Sequence, residues 1–217
     1  TLAVDRELLV ETLFSNLTTI PRNWQMRVFG DMYLADYPEV EYNPQRAKEL
    51  LKEANYQGEK IIYRSLPGYY TLEQTVAEAV TQMWQDIGVN VELQIKENWS
   101  QITEDNEDRH IINGSFSAYY PDPVGQFERR FGENGGGDGS FWHNSEQFNE
   151  LGRKLETTVY TAERREIFKE MLDMFQSDPK GLYLYNLPMI YAIADDVQWE
   201  PIPIQAMDFT VRALKGF

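Results

Sequence analysis

The residues best equipped for chemistry in this sequence are aromatic. Phe116, Ser117, Tyr119 and Tyr120 run into Pro121-Asp122-Pro123, and Trp142 follows a glycine-rich stretch, Gly135-Gly136-Gly137-Asp138-Gly139. Ring faces of this kind stack on apolar or sugar surfaces and hold cations, while the hydroxyls of Ser and Tyr fix orientation. Together they have the makeup of an apolar cleft with a few polar groups, so these five are the candidate ligand contacts. The competing reading for Phe116 and one tyrosine is burial, because alternation along a strand hides every second residue. For Trp142 it is a place in the core. Asp122 stands beside proline, where aspartate forms turns. Tyr69-Tyr70 is a minor candidate pair, following a strand pattern at the end where α/β sheets bind ligands.

Other chemistries find little here. With no cysteine there is no thiol nucleophile, thiolate metal site or disulfide. His110 and His143 are far apart and lack a matching ligand pattern, so no metal is expected. The acidic run at 104–108 has neither the spacing nor the turn glycine of a calcium loop. Gly135-Gly136-Gly137 is not followed by Gly-Lys-Ser/Thr and is not a phosphate loop. No cofactor is expected. The enzyme alternative is a secreted hydrolase using paired carboxylates, since acidic residues among aromatics also line glycosidase clefts. A strongly raised carboxylate pKa in the cleft would favour it. Against it, no nucleophile elbow is present and the carboxylates fall mainly on faces predicted to meet solvent.

Charge narrows the partners further. Thirty-five Asp and Glu against 20 Lys and Arg leave a net charge of −15 at pH 7, which argues against a nucleic-acid backbone or an anionic membrane surface. No apolar run reaches the roughly 18 residues needed to span a bilayer. The length of 217 residues and the 42% apolar content suffice for an ordinary globular core.

The elements that must position the aromatic residues follow from periodicity. Asp5 caps a helix carrying Leu9, Val10, Leu13 and Phe14, and an aperiodic stretch at 15–42 reads as a long surface loop. Asn43-Pro44 opens a second helix whose Ala47, Leu50, Leu51 and Ala54 share a stripe, with Asn55 suited to its left-handed end. Residues 61–66 read as a strand, Thr71 with Gln74 as a capping box, and 76–87 as a helix stopping at Gly88. Alternating Val89, Val91, Leu93 and Ile95 make a second strand, so 61–95 is a strand–helix–strand unit of a parallel α/β sheet. Residues 111–118 read as a third strand, stopped by the two prolines. Helices follow at 145–160, with Phe148, Leu151, Leu155 and Val159 inward, and at 162–176, with Thr161 as cap. Residues 182–194 have strand character.

In this order the local motifs resemble the family 5 extracellular solute-binding proteins, the dipeptide-, oligopeptide- and nickel-binding proteins of ABC importers. The matching blocks are Leu2-Ala3-Val4-Asp5-Arg6-Glu7-Leu8-Leu9, then Asn43-Pro44 with Ala47-Lys48-Glu49-Leu50-Leu51-Lys52-Glu53-Ala54-Asn55-Tyr56. Ile87-Gly88-Val89-Asn90-Val91-Glu92-Leu93, Pro121-Asp122-Pro123 and Asn144-Ser145-Glu146-Gln147-Phe148-Asn149-Glu150-Leu151 follow, with Arg164-Arg165 and Asp178-Pro179 downstream. The resemblance implies the C-terminal lobe of a periplasmic binding protein type II-like fold, α/β, with a mixed sheet flanked by helices. Residues 1–196 would be that second lobe, and 197–217 a return segment packing on an N-terminal lobe absent from this sequence. The opening at Thr1, which reads like the inside of a domain, is expected of such a fragment.

Function implied by the same resemblance is capture of a peptide or similar small solute between two lobes, in the periplasm, for an ABC permease in the membrane. No bond is broken. Peptide-binding members carry, just before the Asp-Pro pair, an aspartate that holds the peptide's α-ammonium. Counting back from Asp122-Pro123, that position is Tyr119 here, which puts free-amine recognition in doubt and leaves peptides, opines, sugars and metal chelates open.

Overall fold

A computed structural model describes residues 1–137 and 141–201, residue 210, and the backbone of 214–215. The chain divides into two compact units, each assembled from separated stretches. The first comprises residues 1–23, 38–115 and 181–187; the second comprises 24–37, 116–180 and 188–217.

The first unit begins with α1 (Arg6–Phe14), capped by Asp5, whose carboxylate accepts from the Leu8 amide at 2.9 Å. Helix α2 (Pro44–Glu53) starts as its residues predict, with Asn43 accepting from the Arg46 amide and Asn55 left-handed just past its end. Of its predicted stripe only Ala47 is buried, and Leu50 stays exposed. A parallel sheet of order β2-β1-β3 follows, built from β1 (Ile61–Ser65), β2 (Val91–Ile95) and β3 (Ile111–Ile112). The crossover from β1 to β2 is α3 (Glu73–Asp86). The central strand is buried along Ile62, Tyr63, Arg64 and Ser65. Val76, Ala77 and Val80 of α3 pack on it, with Leu9, Val10 and Phe14 of α1.

Two predicted details do not form. The Thr71/Gln74 capping box does not form: Leu72 precedes α3 in a left-handed conformation and offers no side-chain cap. Glu73, buried, turns back instead and accepts from Ser65 Oγ at 3.0 Å and from the Leu66 and Tyr69 amides at 3.1 Å each. A carboxylate meeting three donors outcompetes a surface box. The third strand pairs only at Ile111 and Ile112, and residues 113–118 carry no ladder.

Polar side chains tie this unit together. Arg64 sits in the central strand and donates to the carbonyls of Gln101, Ile102 and Glu104 and to Asn106. It thereby satisfies carbonyls at the end of the short helix α4 (Trp99–Thr103). Arg6 reaches the carbonyls of Pro21, Val40 and Tyr183 at 3.3, 3.1 and 3.0 Å. His110 is structural: its Nδ1 accepts from the Ile62 amide at 2.9 Å.

The second unit is helical around an aromatic core. It contains α5 (Phe127–Phe131), α6 (Glu146–Thr157), α7 (Thr161–Ser177) and an antiparallel pair of β4 (Gln198–Trp199) with β5 (Leu214–Lys215). Phe127 and Phe131 of α5 meet Phe148 of α6, Phe168 and Phe175 of α7, and Trp24, at centroid separations of 4.5–6.0 Å. Ser145 caps α6, its hydroxyl accepting from the Phe148 amide at 3.2 Å. Helix α7 opens without a side-chain cap, Thr161 being its first helical residue. Val159, predicted inward, is 84% exposed because α6 ends at Thr157. Residues 182–194 form no strand. The expected return segment at 197–217 lies mostly outside the described residues, apart from the β4–β5 backbone pairing.

Candidate functional site

All five predicted contacts fall in the second unit, and α5 brings them into two groups. Phe116 and Trp142 are half-buried and flank one side chain, Arg130, whose guanidinium carbon lies 4.4 Å from the Phe116 ring centre and 5.4 Å from that of Trp142. Phe141 closes a third side at 5.7 Å. Phe116 is also edge-on to the buried Trp24 at 5.6 Å, so one side of its ring joins the core. Trp142 leans on Phe131 at 5.2 Å. Its ring also lies against the backbone of Gly137, where a β-carbon would come within 2.1 Å of the indole.

Tyr119 and Tyr120 face solvent, 62% and 48% exposed. Arg129, the neighbour of Arg130 on α5, stacks over Tyr119 at 3.9 Å. Tyr120 lies over Gly125, where a β-carbon would meet its carbonyl oxygen at 2.9 Å. Ser117 is half-buried between the two groups in sequence. Asp122 behaves as a turn former: it accepts from the Val124 amide at 2.9 Å and both its oxygens are held by Arg164, at 2.7 and 2.6 Å.

Arg129 and Arg130 were missed by reading for aromatic residues alone. The available signal was the sequence Phe127-Glu128-Arg129-Arg130-Phe131, in which two core phenylalanines one turn apart force the arginines between them outward. The acidic member of that helix turns inward. Glu128 is 6% exposed, with its carboxyl wedged against Gly132 and Gly152, where β-carbons would come within 1.8 and 2.5 Å of Oε1. Burial, and then the charges of Glu156 and Glu133, push its pKa up to about 7.

The minor pair Tyr69-Tyr70 lies in the first unit, beyond the carboxyl ends of its strands. Tyr69 is half-exposed, edge-on to Trp99 at 4.7 Å, and its hydroxyl accepts from Ser115 Oγ at 3.2 Å. Trp99 follows β2 and Ser115 follows β3, so each parallel strand delivers one of these side chains, as α/β topology directs. Tyr70 is half-buried, and desolvation there, with Tyr185 and Tyr63, raises its pKa above the usual phenol range. Among the described residues no three His, Asp or Glu side chains gather as metal ligands.

Comparison with known proteins sets this geometry in context. The sequence model of the bacterial extracellular solute-binding proteins, family 5 Middle, matches residues 1–138. No curated protein matches the chain. Among solved structures, the murein tripeptide binding protein MppA of Escherichia coli aligns with a TM-score of 0.73 at 18% identity, over 86% of this chain and 38% of its own. NikZ of Campylobacter jejuni, solved with Ni(L-His), aligns at 0.72 and 16%, over 86% and 40%. The ABC transporter-associated periplasmic binding protein DppA of Helicobacter pylori, solved with the peptide STSA, aligns at 0.72 and 16%, over 85% and 36%. The chain thus spans about two fifths of the length of these structures, and at such identities the likeness is one of fold.

Proposed function

The chain belongs to the bacterial extracellular solute-binding proteins of family 5, a family of binding proteins rather than enzymes, and on that premise we propose that it grips solute for an ABC importer. A peptide or similar small solute is captured between two lobes in the periplasm and delivered to a membrane permease. This chain contributes one lobe. The remaining length typical of its relatives contributes the other. Closure about a hinge is the expected response to ligand.

The observation carrying the proposal is the solvent-facing aromatic stretch of the second unit, with Tyr119 and Tyr120 open and Phe116 and Trp142 half-open beside them. These side chains, with Ser117, are the proposed ligand contacts. Rings of this size left at the surface present large apolar area and oriented polar tips, which suits a small solute. The hydrolase alternative gains nothing from Glu128, the one carboxylate among the described residues raised to about 7. Its oxygens are pressed against the backbone of Gly132 and Gly152, leaving no room for a scissile bond.

The test is a thermal-shift screen of the full-length protein against di- and tripeptides, sugars and metal chelates, since ligand bound only by the folded state raises the melting temperature. A solute class should raise it, and Tyr119→Ala or Trp142→Ala should diminish the shift. A screen in which no solute acts, while glycosides or peptides are hydrolysed, overturns the reading.

A further inference from the structure

The aromatic surface of the second unit carries two arginines whose charge no described residue neutralises. Arg129 and Arg130 make no ion pair with any described residue, and their side chains are held by rings instead. The described carboxylates nearby are engaged elsewhere. Asp122 is gripped by Arg164 and Glu133 by Arg153, while Glu128 faces inward against glycine backbone. Two donors at the Arg130 cage are buried without an acceptor, Arg130 Nε and Trp142 Nε1.

A guanidinium stacked on ring faces keeps its N–H groups in its own plane, pointing away from the rings. That leaves a planar fork matched to a carboxylate. An unpaired buried donor costs about 1–3 kcal/mol, so two at one place favour an acceptor from outside the chain. Burial lowers the Arg130 pKa from the ordinary arginine value, yet arginine remains charged at any physiological pH. The cage therefore presents a fixed cation with apolar walls, and Arg129 over Tyr119 adds a second cation at the exposed edge.

Building on the receptor reading, we propose that the solute is an anion: a carboxylate-bearing molecule whose acid group pairs with Arg130 and Trp142 Nε1, with Arg129 beside it and an apolar body on Phe116 and Tyr119. A free ammonium is disfavoured at the same place, because two guanidinium groups repel it.

The test uses the full-length protein and two matched libraries, small carboxylic acids and the corresponding primary amides, drawn from N-acetyl peptides, sugar acids and hydroxy acids. Binding is measured by calorimetry. Hits should come from the acids, each at least tenfold tighter than its amide. Arg130→Gln should remove that preference and Arg129→Gln should reduce it, with the exposed Arg129 variant folding as the parent does. In the parent, the indole N–H resonance missing from the Trp142→Phe spectrum should move on adding an acid hit. Amides binding as well as their acids, or an unchanged acid preference in Arg130→Gln, would overturn the proposal while leaving the receptor reading intact. No hit in either library would overturn the anion proposal, while the receptor reading is decided by the wider solute screen.

Discussion

Glu128→Gln isolates one charge without changing the shape of its surroundings. The folded chain holds the Glu128 proton up to about pH 7, against an ordinary value of 4.5, because burial and the charges of Glu156 and Glu133 oppose ionisation. Between those two pH values the folded state binds a proton that the unfolded state has released, so stability falls as pH rises. At about 1.4 kcal/mol per pH unit, the loss amounts to about 3 kcal/mol and is complete slightly above pH 7. Parent and Glu128→Gln should therefore have similar stability near pH 4.5, and the variant should be more stable by about 3 kcal/mol at pH 8. Urea unfolding of the full-length protein, followed by tryptophan fluorescence at both pH values, reads the difference. Curves for the two proteins that stay parallel from pH 4.5 to 8, or a variant weaker at pH 8, would refute the assignment of a neutral, buried carboxyl.

Three further outcomes rest on single side chains. Glu73→Ala leaves Ser65 Oγ and the Leu66 and Tyr69 amides without their acceptor, and should cost about 3 kcal/mol. Hydrogen exchange at the Leu66 and Tyr69 amides should accelerate while that in β2 does not; unchanged exchange would count against it. Arg6→Ala releases three carbonyls from separate segments of the first unit and should destabilise by about 2–4 kcal/mol in chemical denaturation. Arg6→Lys should restore little, since one ammonium lacks the planar fork. Gly137→Ala drives a β-carbon into the Trp142 indole, so the near-ultraviolet circular dichroism of that residue should change, with a cost of about 1–3 kcal/mol. An unaltered spectrum would mean the ring is not held there.

What the sequence determined by itself is what short-range physics dictates. Asp5 and Asn43 each cap the helix their positions predict, because a cap needs only a side-chain oxygen three residues before an amide. The strand–helix–strand run through 61–95 was legible for the same reason: periods of two and 3.6 are written locally. Family membership was legible too, carried by motifs spread along the chain. Other features required groups distant in sequence to meet. Glu73 overrode the Thr71/Gln74 box because β1 brought Ser65 within reach. The third strand stopped pairing at Ile112 because its neighbour β1 ends at Ser65. The aromatic residues at 116–142 were legible as a candidate binding surface, but the charge around them depended on which groups face it. Arg129 and Arg130 look like ordinary surface residues on a short helix until Phe127 and Phe131 anchor α5 in the core and Glu128 turns inward. Only then do the two cations emerge among the rings, because charge at a surface is decided by which partners tertiary packing leaves over.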